Sequence, residues 1–286
     1  MISKTSPNGS RMMSNMHFQP EQLFDLDLDQ VTLLALYAHP DDETYLAGGL
    51  MAAVARAGGR VVHVTATLGE LGTSEPDRWP PASMARRRKR ELGRALEQLG
   101  VSETVSLGYS DGACDQVDVG RATEQLARTV EEIRPDLVVG FGPDGVTGHP
   151  DHVALARWTA LATIATGNRT PLMTSAVSSI WPADIERKMR DAGAFMPDYR
   201  KPIGDNPVQL DLDDDLLARK LAALDAYASQ TPALRAFLGE SDFRRLAAIE
   251  AFRPANLAAR QLVVGSITHV PAGAPVTDRT VSRALG

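Results

Sequence analysis

The chain has 286 residues, 43% hydrophobic and 23% charged, with a net charge of −6 and a pI near 5.6. That length predicts one large domain or two modest ones, and the composition excludes a chain disordered throughout. The acidic balance argues against a protein that holds nucleic acid by its phosphates. The single cysteine, Cys114, excludes an intrachain disulfide and a thiolate-rich zinc site, and fits a reducing compartment.

The predicted elements begin after a polar tail, residues 1–28. Its Lys4 and Arg11 have no apolar stretch behind them, so it does not read as a signal peptide. Val31–Ala38 reads as a strand covered on both faces. Thr44–Ala57 follows as a helix, stopped by Gly58-Gly59. Arg60–Leu68 is a second strand, Ser83–Leu99 a helix ended by Gly100, and Thr104–Leu107 a third strand. Val119–Ile133 is a helix stopped by Pro135, Asp136–Phe141 a fourth strand, Val153–Thr166 a helix and Thr174–Ile180 a fifth strand. Beyond Trp181 the alternation fades. Asp184–Ala192 and Leu212–Tyr227 read as helices, Pro197–Pro207 as a loop and Leu262–Gly265 as a last strand, before a second polar tail over 271–286.

This order predicts an α/β fold: a mostly parallel, Rossmann-like sheet with helices on both faces and an elaborated C-terminal third. A single domain over residues 29–270 is the economical division. No apolar run reaches the ~18–20 residues of a membrane span. A cytoplasmic location is expected.

Three of the six histidines fall in two short motifs. Tyr37-Ala38-His39-Pro40-Asp41-Asp42-Glu43 begins where the first strand ends, and Gly148-His149-Pro150-Asp151-His152 follows the fourth strand. Ligands of doubly wound sheets bind at the carboxyl ends of the strands, so both motifs point to one edge. His39, Asp42 and His152 are candidate ligands of a divalent metal that keeps positions open for water and substrate. Asp41 and His149 are then available as a base for water and as a partner for charge building on a carbonyl oxygen. An Asp-Asp pair ahead of a helix also serves simply as a cap. His17, His63 and His269 read as ordinary surface or packed residues, with His63 in mid-strand.

Together the two motifs resemble the N-acetylglucosaminyl-phosphatidylinositol de-N-acetylase (PIG-L, LmbE-like) family, which includes the deacetylases of mycothiol and bacillithiol synthesis. The resemblance runs from about Val31 to Val153 and takes in Thr67–Gly72, Arg88 with Glu91, and Leu107–Gly112. It resumes at Lys220-Leu-Ala-Ala-Leu-Asp-Ala-Tyr-Ala-Ser-Gln230. It implies zinc on His39, Asp42 and His152, with Fe2+ able to use the same site. It implies Asp41 as general base, His149 as oxyanion stabiliser or general acid, and Asp151 as the carboxylate that orients His149. It implies Arg88 and Asp111 as contacts to a small polar amino-sugar substrate. Arg88 also lies on the apolar stripe of its own helix, four residues from Met84 and from Leu92, so it is expected to point inward, toward a pocket or toward Glu91.

Two positions depart from the family pattern. Thr147 stands where some sugar deacetylases carry tyrosine, and Tyr227 where histidine is frequent. The implied activity is hydrolytic removal of an N-acetyl or N-acyl group from an N-acetylglucosamine-type conjugate. Thr73–Pro81, Asp111–Asp118 and Trp181–Pro207 are the expected specificity loops. Two alternatives stay open at this point: a non-haem Fe(II) oxygenase using the same triad, and a sugar-binding protein that keeps the metal as structure.

Overall fold

The computed structural model describes residues 17–20, 27–200, 202 and 207–261. The segment β2 (Thr32–Tyr37) has every side chain but Thr32 buried, as a strand covered on both faces requires. Helix α1 (Asp42–Ala57) follows and ends at Gly58, whose φ of 100° is the left-handed stop for which glycine is suited. Then come β3 (Arg60–Thr65), α2 (Pro81–Leu99) and β4 (Glu103–Ser106). Helix α3 (Val119–Ile133) is capped by Asp118, which accepts from the Arg121 N–H at 2.8 Å. β5 (Leu137–Phe141), α4 (Pro150–Ala165) and β6 (Leu172–Ser175) complete the alternating part.

Among the described residues the strands form one sheet, ordered β1 (His17–Phe18), β7 (Val208–Leu210), β8 (Glu250–Pro254), β6, β5, β2, β3, β4. The run from β6 to β4 is parallel throughout. From β2 the chain steps outward through β3 and β4, then returns to β5 on the other side of β2. The carboxyl ends of β2 and β5, paired at Leu36 and Gly140, therefore flank the topological switch point.

The C-terminal third differs most from its sequence reading. The expected strand Thr174–Ile180 is the end of β6 followed by a short helix, α5 (Val177–Ile180). The chain turns at Ala176, whose N–H is taken by Ala251 O of a strand the pattern did not reveal. After α6 (Ala183–Asp191) come β7 (Val208–Leu210), α7 (Asp214–Ala226), α8 (Thr231–Leu238), α9 (Glu240–Ala247) and β8 (Glu250–Pro254). Helix α7 starts two residues later than expected because Asp213 caps it through the Leu216 N–H at 2.8 Å. β8 runs antiparallel between β6 and β7. Within the expected N-terminal tail, β1 (His17–Phe18) pairs with Gln209 and Leu210 of β7, and Phe18 is buried. The proposed strand Leu262–Gly265 and the tail 271–286 lie outside the described residues. No helix among the described residues is long and apolar enough to cross a membrane.

One buried ion pair ties this third to α1. Lys220 of α7 donates to Glu250 Oε1 at 2.8 Å, and both side chains are fully enclosed. Glu250 also accepts the Gly49 and Leu50 N–H groups of α1, at 2.5 and 2.9 Å. A Cβ at Gly49 would collide with Leu212 and sit 3.1 Å from Glu250 Oε1, so glycine there lets the carboxylate reach the helix backbone. Removing the cation would leave a buried carboxylate unpaired. Lys220→Met should lower stability by about 3–5 kcal/mol, measured by urea unfolding; a loss under about 1 kcal/mol would show the pair contributes little.

Candidate metal centre

The two motifs leave β2 and β5 side by side and meet at the switch point. His39 Nδ1 lies 3.1 Å from His152 Nε2. Asp42 Oδ2 lies 3.2 Å from the first and 3.3 Å from the second. The edge of a tetrahedron with metal–ligand bonds of about 2.0–2.1 Å is about 3.3–3.4 Å, so the three atoms form a near-ideal face.

The outer contacts of each ring set where its proton sits. His152 Nδ1 is 3.0 Å from Gly145 O and donates to it, which leaves the Nε2 lone pair facing inward. His39 Nε2 lies 3.1 Å from carboxylate oxygens of both Asp151 and Asp111, which leaves the Nδ1 lone pair inward. With the ring protons on these outer nitrogens, three lone pairs converge on one point, an arrangement suited to a cation. Phe141, the last residue of β5, stacks on His152 at 4.1 Å between ring centroids and fixes its plane. A nitrogen of His149 comes within 4.8 Å of nitrogens of His39 and His152.

Asp41 occupies the capping position of α1, but its carboxylate caps nothing. Its φ of 121° is strained for a residue with a side chain. The strain is held by Glu43 Oε2, which accepts the Asp41 N–H at 2.9 Å, and by the Thr44 and Tyr45 N–H groups, which bond Asp41 O at 3.0 Å. Glu43 in turn accepts from Thr44 Oγ1 at 2.5 Å and from the Tyr227 hydroxyl. Arg88, buried in α2, lies 3.1 Å from Asp41 Oδ1 and donates to Pro40 O and to Gly69 O. The alternative Arg88–Glu91 pairing is not formed. Glu91 accepts instead from Arg87 at 3.0 Å and from the Ser229 hydroxyl at 2.5 Å.

Burial pushes Asp41 up to about 7, against the pull of Arg88 and with help from the neighbouring carboxylates Asp42 and Glu43. Burial works against the Asp42 carboxylate too, yet His152 and His39 hold it well below the usual range. Burial lowers His149, and the adjacent His152 and His39 lower it further. His149 caps α4, its Nδ1 accepting the Asp151 N–H at 3.2 Å, so its proton belongs on Nε2. The Asp151 carboxylate is turned to His39 and to the Gly112 and Cys114 N–H groups, at 2.7 and 3.0 Å.

All eight residues singled out in the sequence, His39, Asp41, Asp42, Arg88, Asp111, His149, Asp151 and His152, gather in this one region. Sequence reasoning gave no task to Glu43, although it lies inside the first motif. His63 was read as packed, and it is: Nδ1 lies 3.0 Å from Thr104 Oγ1 and Nε2 4.0 Å from Glu43, and burial lowers it to about 3. His17 lies 2.8 Å from Asp211 at the surface, and His269 falls outside the described residues.

The fold and site define an α/β protein with a His/Asp/His cluster at the switch point of an open, mostly parallel sheet. Residues 34–163 match the model of the GlcNAc-PI de-N-acetylase family, PIG-L. The chain is 33% identical over 263 residues to the 1D-myo-inositol 2-acetamido-2-deoxy-alpha-D-glucopyranoside deacetylase of Kineococcus radiotolerans, covering 74% of this chain and 72% of that one. It is 31% identical over 204 residues to a Bacillus anthracis protein named probable N-acetyl-alpha-D-glucosaminyl L-malate deacetylase 2, covering 69% and 80%. The chain belongs to the PIG-L family and is an N-deacetylase.

Among solved structures it resembles the N,N'-diacetylchitobiose deacetylase from Pyrococcus horikoshii, with TM-score 0.58 and 20% identity over 86% of this chain and 88% of that one. It resembles equally the 4-carboxy-2-hydroxymuconate hydratase from Pseudomonas putida, with TM-score 0.55 and 19% identity over 78% and 94%. The fold alone therefore does not choose between amide hydrolysis and hydration.

Arg88 anchors Asp41 and two loop carbonyls at once, so its loss should unsettle the loop after β2. Arg88→Met should destabilise the chain by about 2–4 kcal/mol in thermal or urea unfolding, and Arg88→Lys should recover only part of this because one ammonium cannot span three acceptors. Wild-type stability in Arg88→Met would contradict the anchoring role.

Proposed function

We propose that this chain is a zinc hydrolase that removes the N-acyl group from an N-acetylglucosamine-type conjugate and releases a carboxylate and a free amine. The observation that carries this reading is the triangle of inward lone pairs on His39, Asp42 and His152 with Asp41 alongside. Two imidazoles and one carboxylate fit Zn2+ with a position left open, and Fe2+ accepts the same donors. Bound by these three residues, the ion would supply a polarised amide carbonyl and an acidified water. The relatives named as deacetylases of N-acetylglucosaminyl-inositol and N-acetylglucosaminyl-malate compounds support the amino-sugar class.

Asp41 takes the proton as the water oxygen bonds to the acyl carbon. A carboxylate raised to about 7 by burial is well matched to accepting and returning a proton near neutrality. Negative charge grows on the carbonyl oxygen, and the Nε2–H of neutral His149 donates to it. The carbon–nitrogen bond breaks as the amine nitrogen gains a proton. His149 already uses Nδ1 as an acceptor and has no second proton to give, so Asp41 delivers the one it took. Asp151 and Asp111 hold His39, and Arg88 holds Asp41. Arg88 acts through the base, while the partly open Asp111 remains within reach of a sugar hydroxyl.

The oxygenase alternative gains nothing from this open sheet, and a purely sugar-binding role leaves the strained Asp41 without a task. Zinc-restored protein should release acetate from at least one member of a panel of free N-acetylglucosamine, a glycosyl-inositol and a glycosyl-malate. Chelation should abolish the release and zinc should restore it. Asp41→Asn should lower kcat by a factor of about 10²–10⁴ with near-stoichiometric metal retained, whereas His152→Ala should lose the metal. A fully active Asp41→Asn, or no acetate from any conjugate, would sink the proposal.

A further inference from the structure

A cavity of about 140 Å³ opens directly beside Asp42 and His152. Its walls are Leu46 of α1, Val146 beside Thr147, Val177 of α5, Trp181, Met189 of α6 and Leu246 of α9. Apart from Asp42, Thr147, His152 and the phenol of Tyr45, its lining is hydrocarbon, the thioether of Met189 and the indole of Trp181. The remaining side chains of the centre, His39, Asp41, Arg88, Asp111, His149 and Asp151, do not border it. The site is thus divided: two of the three candidate ligands face an apolar chamber, and the other polar groups lie outside that chamber.

That division bears on how an amide sits, given the hydrolase reading on which this inference rests. The carbonyl carbon carries two substituents, the nitrogen with its sugar and the acyl chain. A sugar must satisfy several hydroxyls, and hydroxyls in an apolar chamber without partners are costly. An acyl chain has no such need and gains from leaving water. We propose that the cavity is an acyl-chain pocket, and that the preferred substrates are N-acyl amino sugars with a chain longer than acetyl. Apolar cavities of about 150 Å³ hold a benzene-sized guest, so the chamber accommodates an acyl group of about six carbons. Each buried methylene should then contribute about fourfold.

Alkyl hydroxamates, which carry the acyl chain next to a metal-binding head, test the pocket without requiring turnover. Calorimetric titration of the zinc-loaded full chain with acetohydroxamate, butanohydroxamate and hexanohydroxamate should tighten Kd about sixteenfold for each added pair of methylenes. Parallel assays of N-acetyl-, N-butanoyl- and N-hexanoylglucosamine should show kcat/KM rising in the same order. Ile249→Phe and Leu234→Phe, two separate ways to fill the chamber, should each reduce the hexanoyl-to-acetyl ratio at least tenfold.

Equal hydroxamate affinities across chain lengths would overturn the pocket, as would a gain that follows alkyl length on the glycosidic oxygen of N-acetylglucosamine rather than on the acyl group. Acetyl release with no chain-length gain overturns the pocket and leaves the hydrolase reading standing. Chain-length-dependent hydroxamate binding without hydrolysis of any amide upholds the pocket and overturns the hydrolase reading.

Discussion

Five carboxyl groups, Asp41, Asp42, Glu43, Asp111 and Asp151, crowd the space where the loops after β2, β4 and β5 meet, and the guanidinium of Arg88 is the permanent cation placed among them. Burying that much negative charge is strongly unfavourable unless something compensates. The fold distributes the compensation. Asp151 takes two backbone N–H groups, Asp111 takes the Leu71 N–H at 2.9 Å, and Glu43, pushed upward by burial, takes the Thr44 and Tyr227 hydroxyls and the Asp41 N–H. Asp42 accepts the His39 N–H at 2.8 Å and faces the two imidazoles, which hold it well below the usual carboxylate range. A divalent ion held by these three residues would offset further negative charge at the point where the carboxyl groups crowd.

The same crowding explains the backbone of Asp41. A positive φ in a residue with a side chain costs on the order of 1–3 kcal/mol and persists only where the surroundings hold it. Here Glu43 grips the Asp41 N–H, two N–H groups of α1 grip its carbonyl, and Arg88 grips its carboxylate. In an ordinary cap the side chain would fold over the helix terminus. The strained conformation leaves the carboxylate free of the helix terminus and beside Arg88. Glu43 is therefore a positioning residue: it sets the direction of Asp41 by holding the amide from behind, and Tyr227 and Thr44 hold Glu43.

Much of this was legible in the sequence because it depends on local spacing. The alternating order specifies a parallel sheet, and strand ends specify which loops share an edge. Two motifs at the ends of β2 and β5 therefore had to meet. What the sequence could not show was which neighbour each polar side chain chooses. The family resemblance implies a pairing of Asp151 with His149, yet the Asp151 carboxylate turns to His39, because the Gly112 and Cys114 amides after β4 draw it that way. Arg88 passes over Glu91, three residues along its own helix, for Asp41, because Glu91 is already taken by Arg87 and Ser229. β7 and β8 were invisible for another reason. They are three and five residues long, and Glu250, Gln209 and Arg253 interrupt the apolar pattern that marks a strand.

Those short strands give the C-terminal third its purpose. β8 carries Glu250 under the middle of α1, and α7 supplies Lys220 to pair with it. α7 then ends at Tyr227, whose hydroxyl reaches Glu43, and Ser229 and Gln230 continue to Glu91 and to Gly72 O, the latter at 2.9 Å. The segment Lys220–Gln230 thus touches α1 at its centre and near its start, α2 at Glu91 and the loop after β3 at Gly72. Asp42 is the first residue of α1 and Asp41 the residue before it, so any rocking of that helix would move a candidate ligand and the candidate base together. A parallel sheet alone fixes where β2 ends, not the tilt of the helix that follows. The clamp from the C-terminal third supplies that second constraint.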